Sequence, residues 1–466
     1  MKDKICDKSM SFKDCELAIL RTAVDKAEEI AGKKVVNTPE VKALIEIVEE
    51  FIKKSNVVCY GGTAINNILP KEDQFYNLDV EIPDYDFFSP NALEDAKKLA
   101  DIYHSKGFEE VEAKAGQHYG TYKVFVNFIP VADITQINKK LFHEIKKESI
   151  KVAGIFYCAP NYLRMSMFLE LSRPQGDVSR WEKVFKRMTL LNKHYPLKFN
   201  TCNPKIHQRQ FENKNSNLIE TIYNTTKISF MDQGVIFFGG YATELYSTYM
   251  PLNIRKQFTK NPDFDIISED PYKCCMIVKE RLQDYDIKDI KILKRNNLGE
   301  VIPLHYELKV GEETIAFVYE PTSCHSYNII PIEARKVKVA TIDTMLSFYL
   351  AFIYAGRPYY DVNRILCMSN FLFQVQQKNR LKQKGLLRRF SISCYGKQKT
   401  LEEMRGDKAK KYLELMNKRN TKEYNEWFLK YRPYEIKLEK QKKKKNNEKK
   451  KTKSNKKTNK RKSVKN

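Results

Sequence analysis

The chain lacks any CxxC pair. Its ten cysteines, Cys6, Cys15, Cys59, Cys158, Cys202, Cys274, Cys275, Cys324, Cys367 and Cys394, form no Cys/His cluster at zinc spacing. That pattern excludes a structural zinc and reads as reduced thiols of an intracellular protein. The N-terminus, MKDKICDKSMSF, is charged throughout and has no apolar core of a secretory signal. Long hydrophobic runs are also missing. The most apolar stretch, Met345 to Gly356, is too short to cross a bilayer and predicts a core helix, so no membrane partner is expected. Acids are scarce beside bases, with 58 Asp and Glu against 83 Lys and Arg, a net charge of +25. This excess points to a polyanionic partner, nucleic acid before membrane, because neutralised phosphates release their counterions. The charge is uneven: from Lys437 onward there are roughly 16 basic residues against 2 acidic ones. That Lys/Asn/Thr-rich tail has too little apolar surface to offset ordering entropy and is expected to be disordered.

What is present suffices for two or three domains: 466 residues, 42% hydrophobic and 12% aromatic. Leu17 to Lys33 and Glu40 to Lys54 have helical spacing, the second with a start signal at Thr38-Pro39. VVCY (Val57 to Tyr60), Gly61-Gly62, TAINNIL and then DYDFF predict strand, tight turn, short helix and strand. A helix over Ala92 to Lys106 precedes a hairpin formed by FEEVEAKA and TYKVFVNF. VADIT (Val131 to Thr135) is one more buried strand, with an acid inside it. From Asn138 to His194 the pattern reads as helical. Then it restarts: GVIFFGGYATEL aligns with NVVCYGGTAINN and PDFDIIS with PDYDFFS, at a shift of about 178 to 179 residues, and RPYYDVNR repeats RPQGDVSR at about 184. The fold class is therefore α/β (α+β), a tandem duplication in which each copy is a mixed sheet with flanking helices. The expected layout is an N-terminal helical segment (1–55), a first sheet domain (56–137), a helical segment (138–230), a second sheet domain (231–373), a basic helical region (374–436) and the tail (437–466).

Asp84 and Asp86 are two apart on a strand, so both side chains leave one face and call for a positive charge between them. A hard divalent cation, Mg²⁺ or Mn²⁺, fits that place. With VADIT alongside, Asp133 adds a third carboxylate, a set able to hold two ions for phosphoryl transfer. Gly61 and Gly62 would let the backbone approach phosphate oxygens at a helix N-terminus, and Thr63 could donate its hydroxyl to them. The order strand, Gly-Gly, helix, Asp-x-Asp strand, single-acid strand resembles the nucleotidyltransferase fold of DNA polymerase β and the poly(A) polymerases. With YLRMSMFLELSRPQGDVSRWEKVFKRM it is similar to the poly(A) polymerase catalytic subunit of large cytoplasmic DNA viruses, nearer the giant-virus members than the poxvirus ones, from about Asn56 to Phe373. The resemblance implies template-independent addition of AMP from ATP to RNA 3′ ends with magnesium. It makes Asp84, Asp86 and Asp133 the catalytic, metal-binding acids and sets Gly61, Gly62 and Thr63 at the triphosphate. It also implies a virion and host-cytoplasm location and a homodimer, since no methyltransferase-like glycine motif of the kind the poxvirus partner subunit would need is found. Lys183 is a candidate for triphosphate or RNA phosphate, against a solvated helix face. Tyr157 and Asn161 could reach the nucleoside, although an Asn at a helix start mostly caps it. The acids do not read the base, so a uridylate-adding terminal transferase and a non-catalytic RNA-binding subunit stay open.

In the second copy, Asp263 and Asp265 repeat the acid pair. If IAFVYEPTSCHSY matches VFVNFIPVADIT, the place of Asp133 falls near Cys324 or His325, with Glu320 four or five positions early. That copy is then expected to be catalytically inactive. RPxxDVxR survives in both copies, so Arg173, Asp177 and Arg180 read as fold-holding. As for the tail, deleting Lys437 to Asn466 should leave single AMP addition intact but shorten tails and flatten their salt dependence, measured by primer extension across a salt series.

Overall fold

A computed structural model describes residues 5–435 apart from 8, 78, 203–215, 257, 259–261, 300 and 420, so the basic tail lies outside the described residues. The chain divides into two compact units: residues 1–137 with 151–157 and 405–466, and residues 138–150 with 158–404.

The first unit is built on β1 (Val58–Cys59), β2 (Asp86–Ser89), β3 (Val111–Ala115), β4 (Thr121–Val126), β5 (Ile129–Gln136), β6 (Ile150–Val152) and β7 (Ile155–Tyr157). Across the sheet the order is β3-β4-β5-β2-β1-β7-β6, and a short strand, Lys430–Tyr431, adds to the β3 edge. β2 runs parallel to β5 and β1 to β7; β1/β2, β3/β4 and β4/β5 are antiparallel. Alternation along β4 buries Tyr122, Val124 and Val126 under the helix Ala92–Ser105, which turns Leu93, Ala96, Leu99, Ala100 and Tyr103 inward. The helix Pro39–Lys54 starts where expected: the Thr38 hydroxyl accepts from the Val41 amide, and Pro39 occupies the first turn, where its missing N–H costs nothing. Its apolar face, Val41, Leu44, Val48, Phe51 and Ile52, is buried, each such side chain contributing about 1.5–3 kcal/mol.

The second unit contains β8 (Ile236–Phe238), β9 (Phe264–Ile267), β10 (Ile290–Arg295), β11 (His305–Val310), β12 (Glu313–Tyr319), β13 (His325–Ile332), β14 (Arg335–Ala340) and β15 (Cys394–Tyr395), ordered β10-β11-β12-β9-β8-β14-β13-β15. Each of β1 to β7 thus has its counterpart seven strands later, in the same order and with the same two parallel pairs, while the added edge strand lies on opposite edges of the two sheets. Even the irregularity recurs: the register shifts at Val124/Phe125 between β4 and β5, and at Leu308/Lys309 between β11 and β12. The duplication inferred from three short phrases is a duplication of the whole sheet. Met345 to Phe352 lies in the helix Ile342–Phe352, which is buried along its full length, the core helix expected. In the repeated RPxxDVxR phrase, Asp177 caps the turn Val178–Arg180 and Asp361 caps the helix Val362–Lys378. Arg180 pairs with Glu170 at 3.3 Å. Both copies use the aspartate to satisfy a helix start.

Three expectations are corrected. The stretch from Asn138 to His194 is not helical throughout: IKVAGIFY forms the β6–β7 hairpin, turning at Ala153 and Gly154, both at positive φ. Its strands are three residues each, too short to set a period-2 pattern against the helices on either side. The partner of β9 that corresponds to β5 is β12, not a strand reaching Cys324-His325. Asp265 pairs with Phe317 as Asp86 pairs with Asp133, so Phe317 holds the third acid's place and Cys324-His325 opens β13. Finally, six cysteines are paired, Cys6–Cys15, Cys202–Cys367 and Cys324–Cys394, which overturns the reading as uniformly reduced thiols. Pairs 165 and 70 residues apart come together only in the fold. No helix among the described residues is long and apolar enough to cross a membrane. Alkylation in denaturant without reductant should label only Cys59, Cys158, Cys274 and Cys275, read by peptide mass spectrometry. Labelling of all ten would contradict the pairing.

Candidate active site

β1 delivers Tyr60 in an extended conformation to Gly61, which turns at φ 74° into the helix Gly61–Ile68. Glycine is required there twice over. The left-handed φ disfavours a Cβ, and a Cβ would stand 2.8 Å from Oδ2 of Asp86. The Asp86 carboxylate therefore packs against the first residue of a helix, an end that favours negative charge. The Tyr60 amide donates to the Asp86 carbonyl at 3.0 Å, its ring stacks on Phe88 at 3.9 Å, and its hydroxyl lies 2.9 Å from that of Thr135. These contacts clamp β1 across β2 and β5. Thr63 is buried, and its hydroxyl donates to the Asp84 carbonyl at 2.6 Å, so it positions the acid segment from behind.

Asp86 opens β2, and Asp84 lies in the segment just ahead of it. Asp133 is the register partner of Asp86 on the parallel strand β5, and its amide donates to the Tyr85 carbonyl at 3.0 Å. The third acid is thus where the sequence placed it. Asp84 meets solvent, yet the protein around it desolvates the carboxyl enough to hold its pKa above the ordinary carboxylate range; the charge of Asp133 adds to this and Lys123 opposes it. Behind the acids, burial and then the Asp86 charge push the Cys59 thiol up, so it stays protonated and is no nucleophile. Lys123 is the residue the sequence reading missed. It lies opposite Asp133 on β4, and its ammonium forms an ion pair with the Asp133 carboxylate. Counting back through the two-residue turn at Asn127-Phe128 pairs Asp133 with Tyr122; the register shift at Val124/Phe125 is what brings Lys123 opposite it, and nothing in the sequence marks that shift.

Among the described residues, no three or more His, Cys, Asp or Glu side chains are already gathered as a metal cage. The donors nevertheless suit a hard cation: three carboxylates on neighbouring segments, two of them side by side, already answered by one positive charge. Of the remaining candidates, Lys183 belongs to the second unit, exposed on the helix Trp181–His194. Tyr157 is buried, and its hydroxyl accepts from the Asn67 amide at 2.9 Å; burial raises its pKa to about 12. Asn161 does not cap the helix Pro160–Leu171, whose N-cap is Ala159; its carbonyl accepts from the buried Arg164 guanidinium.

A mixed sheet in which a Gly-Gly turn opens a helix beside an Asp-x-Asp strand, with a third acid on the parallel neighbour, is a nucleotidyltransferase-like unit. The chain carries the sheet order, the glycine turn and the acid pair twice, and the third acid in the first unit alone. Residues 46–177 match the family model described as poly(A) polymerase catalytic subunit. Among curated relatives, proteins bearing the provisional name poly(A) polymerase catalytic subunit are similar. One from African swine fever virus is 36% identical over 180 residues, which are 37% of this chain and 38% of the relative. One from Acanthamoeba polyphaga mimivirus is 34% identical over 184 residues, 38% of this chain and 30% of that protein. The chain thus matches well under half the length of these relatives. Among solved structures, the Megavirus polyadenylate synthase has a TM-score of 0.75 at 22% identity, over 93% of this chain and 88% of that one, a likeness of fold.

Because Gly61 is held both by φ and by Asp86, Gly61→Ala should lower stability by about 1–3 kcal/mol and displace the carboxylate. Denaturant unfolding checks the first effect and divalent-ion binding the second.

Proposed function

We propose that the chain is a template-independent polynucleotide adenylyltransferase, a poly(A) polymerase that transfers AMP from ATP to RNA 3′ ends. The observation that carries the reading is the register pairing of Asp86 with Asp133 on parallel strands, with Asp86 packed against the glycine that opens a helix. The match of residues 46–177 to the poly(A) polymerase family model, which contains all three acids, supports it.

Asp84, Asp86 and Asp133 are the residues that would hold Mg²⁺ or Mn²⁺. When bound, such ions neutralise the triphosphate and make the RNA 3′-hydroxyl a better nucleophile. The chain's own contribution is placement. The Gly61-Gly62 turn and the first amides of the helix suit the phosphates of ATP, while Thr63 fixes the backbone of Asp84. The 3′-oxygen bonds to the α-phosphorus as its bond to the bridging oxygen breaks; pyrophosphate departs and the hydroxyl proton goes to solvent. Lys183, exposed on its helix, and the +25 net charge suit an RNA partner. A homodimer acting in the virion and the host cytoplasm belongs to the same reading, in keeping with the viral relatives.

The second unit is proposed to be catalytically inactive, because Phe317 stands where a third carboxylate is needed. In an assay with RNA primer, Mg²⁺ and each NTP separately, ATP alone should support elongation. Asp86→Ala should abolish it, a loss of at least about 10³-fold, and Asp265→Ala should leave it near normal. Elongation by UTP but not ATP would replace the reading with a uridylyltransferase, elongation by no nucleotide with an RNA-binding subunit, and equal loss in both variants would mean shared catalysis.

A further inference from the structure

Lys123 has no part in the scheme above, yet its ammonium is paired with the Asp133 carboxylate and its charge also bears on Asp84. We propose that Lys123 is a built-in counter-cation that holds the acid cluster together until a divalent ion displaces it. Metal loading is then an exchange of one cation for another, and the site is never bare. This rests on the reading of Asp84, Asp86 and Asp133 as metal-binding acids.

Three observations carry it. First, Lys123 is the direct cross-strand partner of Asp133, one residue before the β4–β5 register shift, so the backbone aims it at that acid. Second, its side chain is 40% exposed while that of Asp133 is 17% exposed, so the ammonium on its flexible stem has an open side to swing into and the acid stays fixed. Third, the second copy is an internal control. Where Asp133 is replaced by Phe317, the place of Lys123 is taken by Glu307, before the equivalent register shift, and Glu307 turns to Arg295 at 2.5 Å and Thr314 instead. The lysine is present where the acid is present and gone where the acid is gone. A lysine serving only the strand would not need to follow the acid.

The test uses the full chain with Mn²⁺ as probe, binding read by electron paramagnetic resonance and thermal unfolding followed in EDTA and in saturating Mn²⁺. Lys123→Met and Lys123→Gln should bind Mn²⁺ about three- to tenfold tighter than wild type, because a competing charge is gone. Both should melt below wild type in EDTA and recover in Mn²⁺. Lys123→Arg should keep the stability in EDTA and bind no tighter. Lys123→Leu combined with Asp133→Leu should regain stability in EDTA and lose the Mn²⁺ response. Unchanged or weaker Mn²⁺ affinity in Lys123→Met and Lys123→Gln, or a deficit equal with and without the ion, overturns the proposal while leaving the acids as ligands, provided Asp133→Asn weakens binding. Absence of Mn²⁺ binding by the wild type overturns the proposal together with the reading it rests on.

Discussion

Two like charges stand side by side on parallel strands, and the first unit is arranged around holding them there. Neighbouring strands are about 4.8 Å apart. At that spacing like charges on neighbouring strands disfavour one another. The backbone ladder between β2 and β5 imposes the register, and the surroundings must make it tolerable. They do so with a helix end against Asp86, a lysine on Asp133, and two phenylalanines, Phe87 and Phe88, that bury the strand between them. β2 has only four residues, so its position depends on these contacts more than on its own length.

The second unit keeps the frame and removes the frustration. Gly239 turns at φ 67° beside Asp265 as Gly61 does beside Asp86, so the glycine and the aspartate recur as a packing pair. In the place of the third acid, Phe317 stacks on Tyr359 at 5.0 Å, and around it Phe238, Tyr319, Phe348 and Phe352 form a continuous aromatic core. Burying such rings stabilises a sheet with no help from an ion. One copy therefore concentrates charge and the other apolar surface on the same strand order.

Much of this was legible because the informative residues lie close together in the chain. Thr38-Pro39 marked a helix start through a local hydrogen bond, Gly61-Gly62 marked a turn through φ, and the repeated acid phrases marked the duplication. Three features were not legible, each for a stated reason. The β6–β7 strands are too short for periodicity to emerge. The hairpin joining β4 to β5 turns at Asn127 and Phe128 without a glycine and then shifts register at Val124/Phe125, which hid Lys123 and the strand boundary on which the alignment of the second copy depends. The disulfide Cys202–Cys367 joins residues 165 apart, a proximity no spacing rule encodes.

The sequence alone determined that there are two copies and three acids, because a repeat and an Asp-x-Asp strand are written in consecutive residues whose side-chain direction follows from backbone period. Only the tertiary structure decided which strand lies beside which. With that it settled that Asp133 meets Asp86 and Lys123, and that Phe317, not Cys324 or His325, closes the second copy. The reason is physical: alternation sets the face of a side chain from its neighbours in the chain, but register between strands is set by hydrogen bonds between residues tens of positions apart.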